Sequence, residues 1–143
     1  MMMEALVCLA TAIYFEARSE PTIGQIAVGQ VIMTRVADYR YPDNICEVVT
    51  EGYYYSWNPK IPVPDKCQFS FWCDGKSEEI EDQEAYLWAE DIAWGLIEGP
   101  LNHIDVTEGA THYHAHYVQP SWTEMVTRTV RIDDHIFYRL ELE

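Results

Sequence analysis

The chain has 143 residues, of which 48% are hydrophobic and 13% aromatic, enough to pack one domain and too apolar for a disordered chain. Its formal net charge of −15 disfavours nucleic acid and anionic membrane surfaces as partners, because both attract basic proteins. The longest apolar run falls well short of the ~20 residues that membrane insertion requires. We therefore expect one catalytic or binding domain over residues 1–143.

Two helices are predicted at the start of the chain. The first covers about residues 3–18, since the residue before Pro21 avoids the α region. Its apolar beginning has no basic segment ahead of it, so we expect a core helix and no signal peptide. Thr22 followed by Gln25 has the spacing of a capping box and opens a second helix to about Val36.

The middle of the chain is less regular. Residues 41–52 indicate a turn followed by a short helix. Residues 52–66 hold three prolines and four aromatic residues and predict a surface loop. The rings of that loop, Tyr53, Tyr54, Tyr55 and Trp57, either cover the core or stack on sugars beside a cleft.

Beyond the loop, one more helix and a few short strands are predicted. Residues 67–75 alternate weakly and end in an aspartate–glycine pair, which indicates a strand and a turn. Ser77 is placed to cap a helix over about residues 78–98. Residues 111–118 and 129–140 are typical of short strands. The sum is a mostly helical α+β domain with a small sheet.

The four cysteines lack the spacing of a zinc ribbon. Cys8 lies in an apolar helical stretch and is predicted to be a buried thiol. Cys46, Cys67 and Cys73 supply one disulfide if the protein works outside the cytoplasm, and the sequence does not pair them.

Glu16 is the first candidate for a functional residue. On a helical wheel it shares an arc with Leu9, Ala12 and Ile13, while the other charged residues of the helix face the opposite side. A buried carboxylate costs several kcal/mol unless it is paired, hydrogen-bonded or protonated. Glu16 is therefore either a structural residue held by Arg18, Arg35 or backbone donors, or an acid that keeps its proton near neutral pH and delivers it to a leaving oxygen.

Three histidines offer a second candidate site. His112, His114 and His116 repeat at every second residue and would share one face of a strand, a spacing that can bind zinc. The alternative is one buried, hydrogen-bonded histidine and two at the rim. Because no accompanying general-base motif is present, we expect no metal and no other cofactor.

Five segments, in order and spacing, resemble the cell-wall hydrolase family of spore-cortex-lytic enzymes, which has relatives among bacteriophages. The resemblance runs from Ala5 to Arg139 through ALVCLATAIYFEARSEPTIGQIAVGQVIMTRV, YPDNICEVV, CQFSFWCDG, GATHYHAHYVQPSW and HIFYR.

The resemblance implies a lysozyme-like fold and cleavage of the β-1,4 bond between N-acetylmuramic acid and N-acetylglucosamine in peptidoglycan. It places the catalytic acid on Glu16. A lytic transglycosylase needs no second carboxylate, because the C6 hydroxyl of muramic acid attacks and yields a 1,6-anhydro product. Should water be the acceptor, as in a hydrolytic muramidase, Asp74 is the best second carboxylate and Glu20 the next.

Further site residues are expected along the substrate groove. Gln68 and Ser70 would hydrogen-bond acetamido groups, and the segment Thr111, His112 and Tyr113 would position the sugar or Glu16. Tyr14 is expected beside the substrate, forming with Phe15 the apolar wall that raises the pKa of Glu16. For Phe69, Phe71 and Trp122, core packing is favoured over sugar stacking.

The expected partner is the peptidoglycan glycan strand, bound by a monomer without membrane insertion. The enzyme would be made in the cytoplasm and act on the wall, in the periplasm or outside the cell, with a phage-encoded endolysin as one possible source. A glycan-binding module that has lost catalysis is the rival from another functional class.

Overall fold

The computed structural model describes residues 2–142, with side chains from Glu4 onward. Four α-helices form the larger part of the fold: α1 (Met2–Ala17), α2 (Thr22–Ala37), α3 (Ile45–Val49) and α4 (Gln83–Ile97). Three 3-10 turns lie at Ser70–Trp72, Pro100–His103 and Ser121–Met125. The strands are β1 (Gly52–Tyr55), β2 (Asn58–Cys67), β3 (His112–Ala115), β4 (Thr127–Ile132) and β5 (His135–Arg139).

Helix α1 is the centre of the helical layer, with α2, α3 and α4 packed around it. Its buried side chains meet those of its three neighbours in one apolar core, whose members include Leu9, Ile13, Tyr14, Ile32, Val48, Ile92 and Leu96. Gly29 lets α2 approach α4 closely, because a Cβ at Gly29 would lie 2.4 Å from a methyl carbon of Leu96 on α4. The predicted α+β fold, mostly helical with a small antiparallel sheet, is confirmed.

Helix α2 also carries the C-terminal sheet on its other side. The strand order is β3–β5–β4, all antiparallel, so the central strand is the last in sequence. Ala27 and Val31 of α2 pack with Ala110 and Phe137 in a second apolar cluster. Since Tyr113 is registered opposite Phe137, this cluster fixes the position of β3 relative to the helices.

The predicted loop over residues 52–66 is wrong, because the segment forms the antiparallel β1–β2 hairpin. Its prolines are compatible with a strand because β2 has only one neighbour, so part of its backbone needs no partner in the sheet. Residues 67–75, predicted as a strand and turn, contain instead the end of β2 and a 3-10 turn.

Two predicted helix caps are also wrong. Helix α4 begins at Gln83, because the Asp82 side chain accepts a hydrogen bond from the Ala85 N–H at 3.0 Å. Ser77 makes only a local turn, accepting from the Glu79 N–H. Thr22 makes no capping bond, and its hydroxyl accepts instead from the indole N–H of Trp88 at 3.2 Å.

The cysteines form two disulfides, Cys8–Cys46 and Cys67–Cys73. Cys8 is therefore not a buried thiol: it faces α3 and joins α1 to it. The second bond ties the end of β2 to the residue that follows the 3-10 turn. Two disulfides are typical of proteins that work in oxidising compartments.

Candidate active site

Glu16 lies in the last turn of α1 and forms part of the wall of a cavity of about 150 Å³. The cavity lies between the helical layer, the base of the hairpin and the C-terminal sheet. Its lining residues are Glu16, Arg35, Gln68, Phe69, Ser70, His112, Tyr113 and Trp122. Five of the residues predicted to bind or cleave the substrate are therefore brought together here: Glu16, Gln68, Ser70, His112 and Tyr113.

Burial raises the pKa of the Glu16 carboxyl group, because loss of water disfavours the charged form. The nearby negative charge of Asp74 raises this pKa further. The hydroxyl of Tyr113 donates a short hydrogen bond to Glu16 Oε1 and acts in the opposite direction. Because Oε1 accepts this bond, Oε2 is the oxygen left to carry the proton.

Tyr113 stays protonated, since burial and the adjacent Glu16 raise its pKa well above 10. Its ring packs against Phe137 and His135, with centroids 5.7 and 5.0 Å away. The sheet thus holds the phenol of Tyr113 against the carboxyl group of Glu16.

His112 is neutral in this site. Burial and the charges of Arg35 and Arg40 lower its pKa to about 4. The Thr111 hydroxyl accepts from the Leu140 N–H and lies 2.8 Å from His112 Nδ1. A neutral imidazole whose Nδ1 accepts from this hydroxyl carries its proton on Nε2, where it can donate a hydrogen bond. Thr111 itself is buried behind the cavity and positions this ring.

Arg35 connects three parts of the site, and the sequence interpretation saw it only as a possible partner of Glu16. Its Nε donates to the carbonyl of Thr111 at 2.8 Å, and its Nη1 lies 3.4 Å from the side-chain oxygen of Gln68. The same Nη1 lies 3.7 Å from the carboxylate of Glu51. The signal that could have assigned this role is its position on α2, one turn after the buried Val31 and Ile32.

Two of the predicted site residues lie elsewhere. Tyr14 is fully buried, and its hydroxyl accepts from the Asp82 N–H and from Arg18, so the expected contact with substrate is corrected to a core position. Glu20 is also buried, but it belongs to a separate cluster, 3.3 Å from Nδ1 of His135. Asp74 lies outside the cavity lining, near enough for its charge to affect Glu16.

Phe69, Phe71 and Trp122, for which core packing was favoured, differ in their burial. Phe69 and Phe71 are buried, and Phe71 stacks on Phe15 with centroids 5.2 Å apart. Trp122 is only partly buried and lines the cavity, 5.1 Å from the His112 ring. Its side chain is thus available to a ligand, which sequence reasoning underrated.

The three histidines lie in different environments. His114 is buried, with Nε2 2.8 Å from the Tyr138 hydroxyl and Nδ1 2.7 Å from a backbone carbonyl, whereas His116 is exposed beside Asp134. In the part of the chain that the structure describes, no three side chains of His, Cys, Asp or Glu are grouped to hold a metal ion. From Met2 to Leu142, no helix combines the length and apolarity that crossing a bilayer takes.

Comparison with solved structures shows a lysozyme-like α+β fold. The catalytic domain of the Bacillus cereus SleB protein superimposes with a TM-score of 0.65 over 96% of this chain and 91% of the other, at 24% identity. The catalytic domain of the germination-specific lytic transglycosylase SleB from Bacillus anthracis gives a TM-score of 0.67 over 94% and 93%, also at 24% identity.

The chain belongs to the cell wall hydrolase family, whose sequence profile matches residues 19–138. It is 28% identical over 130 residues to a spore cortex-lytic enzyme of Halalkalibacterium halodurans and 25% identical to one of Bacillus subtilis. Each alignment covers 90% of this chain, which spans 33% and 35% of the length of these two relatives. The resemblance drawn from the sequence is thus confirmed. Glu16 lies just ahead of the matched range.

Proposed function

We propose that this domain is a lytic transglycosylase that cleaves the β-1,4 bond between N-acetylmuramic acid and N-acetylglucosamine, with Glu16 as its acid and base. The observation that carries the proposal is a carboxyl group whose pKa is raised by burial and which still lines a cavity. The family and the names of its spore cortex-lytic relatives support peptidoglycan as the substrate.

Glu16 performs both proton transfers. Its Oε2 proton passes to the glycosidic oxygen as the bond to C1 of muramic acid breaks and positive charge develops on that sugar. The C6 hydroxyl of the same sugar then attacks C1 and gives its proton to the carboxylate. The ring closes as a 1,6-anhydro product, Glu16 is protonated again, and no water is consumed.

The remaining cavity residues hold the substrate. Gln68 and Ser70 offer an amide and a hydroxyl to the acetamido groups, and Nε2 of His112 offers a donor to a sugar oxygen. Tyr113 keeps the Glu16 carboxyl in one orientation by bonding to Oε1. Arg35 orients Gln68 and the backbone before His112, so it acts as a positioning residue.

A hydrolytic muramidase is the second candidate, because one observation favours it. The charge of Asp74 reaches Glu16 and raises its pKa. A second carboxylate near the catalytic acid can serve as the base for a water molecule that attacks C1 of muramic acid. Glu20 is a weaker candidate for this role, since it faces His135 and Asp134.

Mass spectrometry of the soluble fragments from purified peptidoglycan distinguishes these reactions. The transglycosylase releases fragments with 1,6-anhydromuramic ends, each lighter by one water than the reducing ends that a muramidase leaves. Anhydro products are expected from the wild type and none from Glu16→Gln. Reducing ends in place of the anhydro form would assign the reaction to the muramidase, and binding without any fragments would indicate a glycan-binding module.

We also propose that residues 1–143 act as one catalytic domain, as a monomer, on the wall in the periplasm or outside the cell. The two disulfides support a site of action in an oxidising compartment. Release of a phage-encoded enzyme from the cytoplasm at lysis is one route to that compartment.

A further inference from the structure

The β1–β2 hairpin carries three aromatic rings besides that of Tyr54, on Tyr53, Tyr55 and Trp57. Tyr53 and Tyr55 lie on β1, whose register with β2 shifts on either side of Tyr54. The Tyr53 side chain is 72% exposed and that of Trp57, at the hairpin tip, is 71% exposed. The rings of Tyr55 and Trp57 stack on each other with centroids 5.1 Å apart and an interplanar angle of 29°. We call Tyr53, Tyr55 and Trp57 the aromatic face.

Tyr54 and the Cys67–Cys73 disulfide hold the hairpin against the body of the protein. The Tyr54 hydroxyl donates to the carbonyl of Thr50, and it accepts from the indole N–H of Trp72 at 2.9 Å. The Cys67–Cys73 disulfide anchors the end of β2. The aromatic face is therefore presented on a fixed support, which lowers the entropic cost of binding a ligand there.

The base of the hairpin is continuous with the candidate active site. Gly52 pairs with Cys67, and the next residue, Gln68, donates its N–H to the carbonyl of Glu51 at 2.9 Å. The Gln68 side chain lines the cavity, and the Glu51 side chain faces Arg35. From Gly52 to Tyr55 the strand advances roughly 10 Å at about 3.3 Å per residue. The rings thus lie within reach of sugars beyond those at the cleaved bond.

The hairpin differs in charge from the rest of the molecule. Residues 52–67 hold two exposed lysines, Lys60 and Lys66, against one acid, Asp65, in a chain whose net charge is −15. Peptidoglycan stem peptides carry carboxylates, which most of this protein's surface repels. The hairpin is a segment where an anionic wall polymer can approach without that repulsion.

We propose that the aromatic face is an additional subsite that binds the peptidoglycan strand outside the cleavage cavity. The rings stack on the C–H faces of N-acetylhexosamine units, and Lys60 and Lys66 attract the carboxylates of the attached peptides. The subsite favours long, peptide-bearing strands over short fragments. This inference rests on the proposed function, because it takes the same polymer as the ligand.

The test measures binding of Glu16→Gln protein to insoluble peptidoglycan by co-sedimentation, so that cleavage does not remove the ligand. Trp57→Ala in this background is expected to weaken binding about fivefold, the effect of losing one stacked ring. Trp57→Phe, which keeps a ring, is expected to retain most of the affinity. Trp94→Ala is the matched control, since Trp94 is 54% exposed on α4 and binding there is not proposed.

Substrate length gives a second readout in the active enzyme. Trp57→Ala is expected to raise KM for long strands about fivefold and to change kcat/KM for a tetrasaccharide fragment less. A folding defect would instead lower activity on both substrates by the same factor. Lys60→Gln with Lys66→Gln is expected to weaken binding at low salt and to have little effect at high salt.

The outcomes separate the two proposals. If Glu16→Gln protein does not sediment with peptidoglycan at all, the proposed function is wrong. If it sediments and Trp57→Ala binds as well as Trp94→Ala, the aromatic face is not a subsite, and the proposed function is unaffected. Weaker binding by Trp57→Ala alone supports the subsite.

Discussion

Glu16 and Glu20 are four residues apart at the elbow between α1 and α2, and burial raises the pKa of both carboxyl groups. Their surroundings differ. Glu16 lines the cavity and accepts a hydrogen bond from Tyr113. Glu20 faces Nδ1 of His135 and the Asp134 N–H, both at 3.3 Å, behind the sheet. The Tyr113 ring lies between the two regions, 5.0 Å from His135.

The difference teaches that burial alone does not make a carboxyl group a catalytic acid. Desolvation raises the pKa of the carboxyl group in both regions, but of the two carboxyl groups only that of Glu16 lines a cavity with space for a substrate. Glu20 instead links the elbow to the turn before β5. We infer that access, more than pKa, separates the candidate acid from its structural neighbour.

The largest expected effect comes from removing each acid in turn. Glu16→Gln should lower the rate of peptidoglycan clearing by about a thousandfold, because a positioned general acid typically contributes 10²–10⁴. Glu20→Gln should keep most of the activity, since its side chain is expected to touch no substrate. A turbidity assay on purified cell walls measures both, with circular dichroism to verify folding.

Two outcomes would break the comparison. Equal clearing by wild type and Glu16→Gln would remove Glu16 from the mechanism. Loss of activity in well-folded Glu20→Gln, as large as that in Glu16→Gln, would move the acid to the second region.

The pH dependence should shift in opposite directions in two variants at the active site. The acid must be protonated, so activity falls as pH rises through the pKa of Glu16. Tyr113→Phe removes a bond that lowers this pKa, so the alkaline limb of kcat/KM should move to higher pH. Asp74→Asn removes a charge that raises it, so the limb should move to lower pH.

These profiles also test the muramidase alternative. A transglycosylase should keep substantial activity in Asp74→Asn, because no second carboxylate takes part. Shifts of the same sign in both variants would show that Glu16 does not set the alkaline limb.

A smaller effect is expected on stability. Because the folded pKa of Glu16 is raised, its ionisation favours the unfolded chain, and stability falls as pH rises from about the ordinary value of 4.5 through the folded pKa. Glu16→Gln should therefore be more stable than wild type at pH 7. The gain should vanish in acid, where both states are protonated. Urea unfolding at the two pH values measures the difference, and no gain at pH 7 would contradict a strained carboxylate.

Much of the helical layer could be predicted from the sequence. The apolar repeats of α1 and α2 and the glycine–proline stop after α4 are local signals. The β-branched and aromatic residues predicted strands over 111–118 and 129–140, but the turn that divides the second segment between β4 and β5 was not predicted. The β1–β2 hairpin was missed because its prolines are typical of loops. They fit here because β1 and β2 form a two-stranded sheet, in which each strand has one edge without a partner. The Cys8–Cys46 bond depends on the packing of α1 against α3, which local patterns do not contain.

The candidate site divides in the same way. Glu16 stands out because a charged residue occupies an apolar helical arc, and the other predicted residues followed from the family resemblance. The network of Arg35 joins α2, β3 and the hairpin base, so only the tertiary structure places it. Tyr14 was assigned to the substrate site, but it lies two residues before Glu16 and so about 200° away around the helix, where its ring enters the core while Glu16 reaches the cavity.

Carboxyl titration by NMR, with ¹³C-labelled glutamate, tests the central claim most directly. The account predicts a glutamate resonance that titrates above 4.5 in the wild type, is absent from Glu16→Gln and persists in Glu20→Gln. If the resonance assigned to Glu16 titrates at 4.5 or below, its proton is lost before neutral pH, and Glu16 is not the acid that cleaves the glycan.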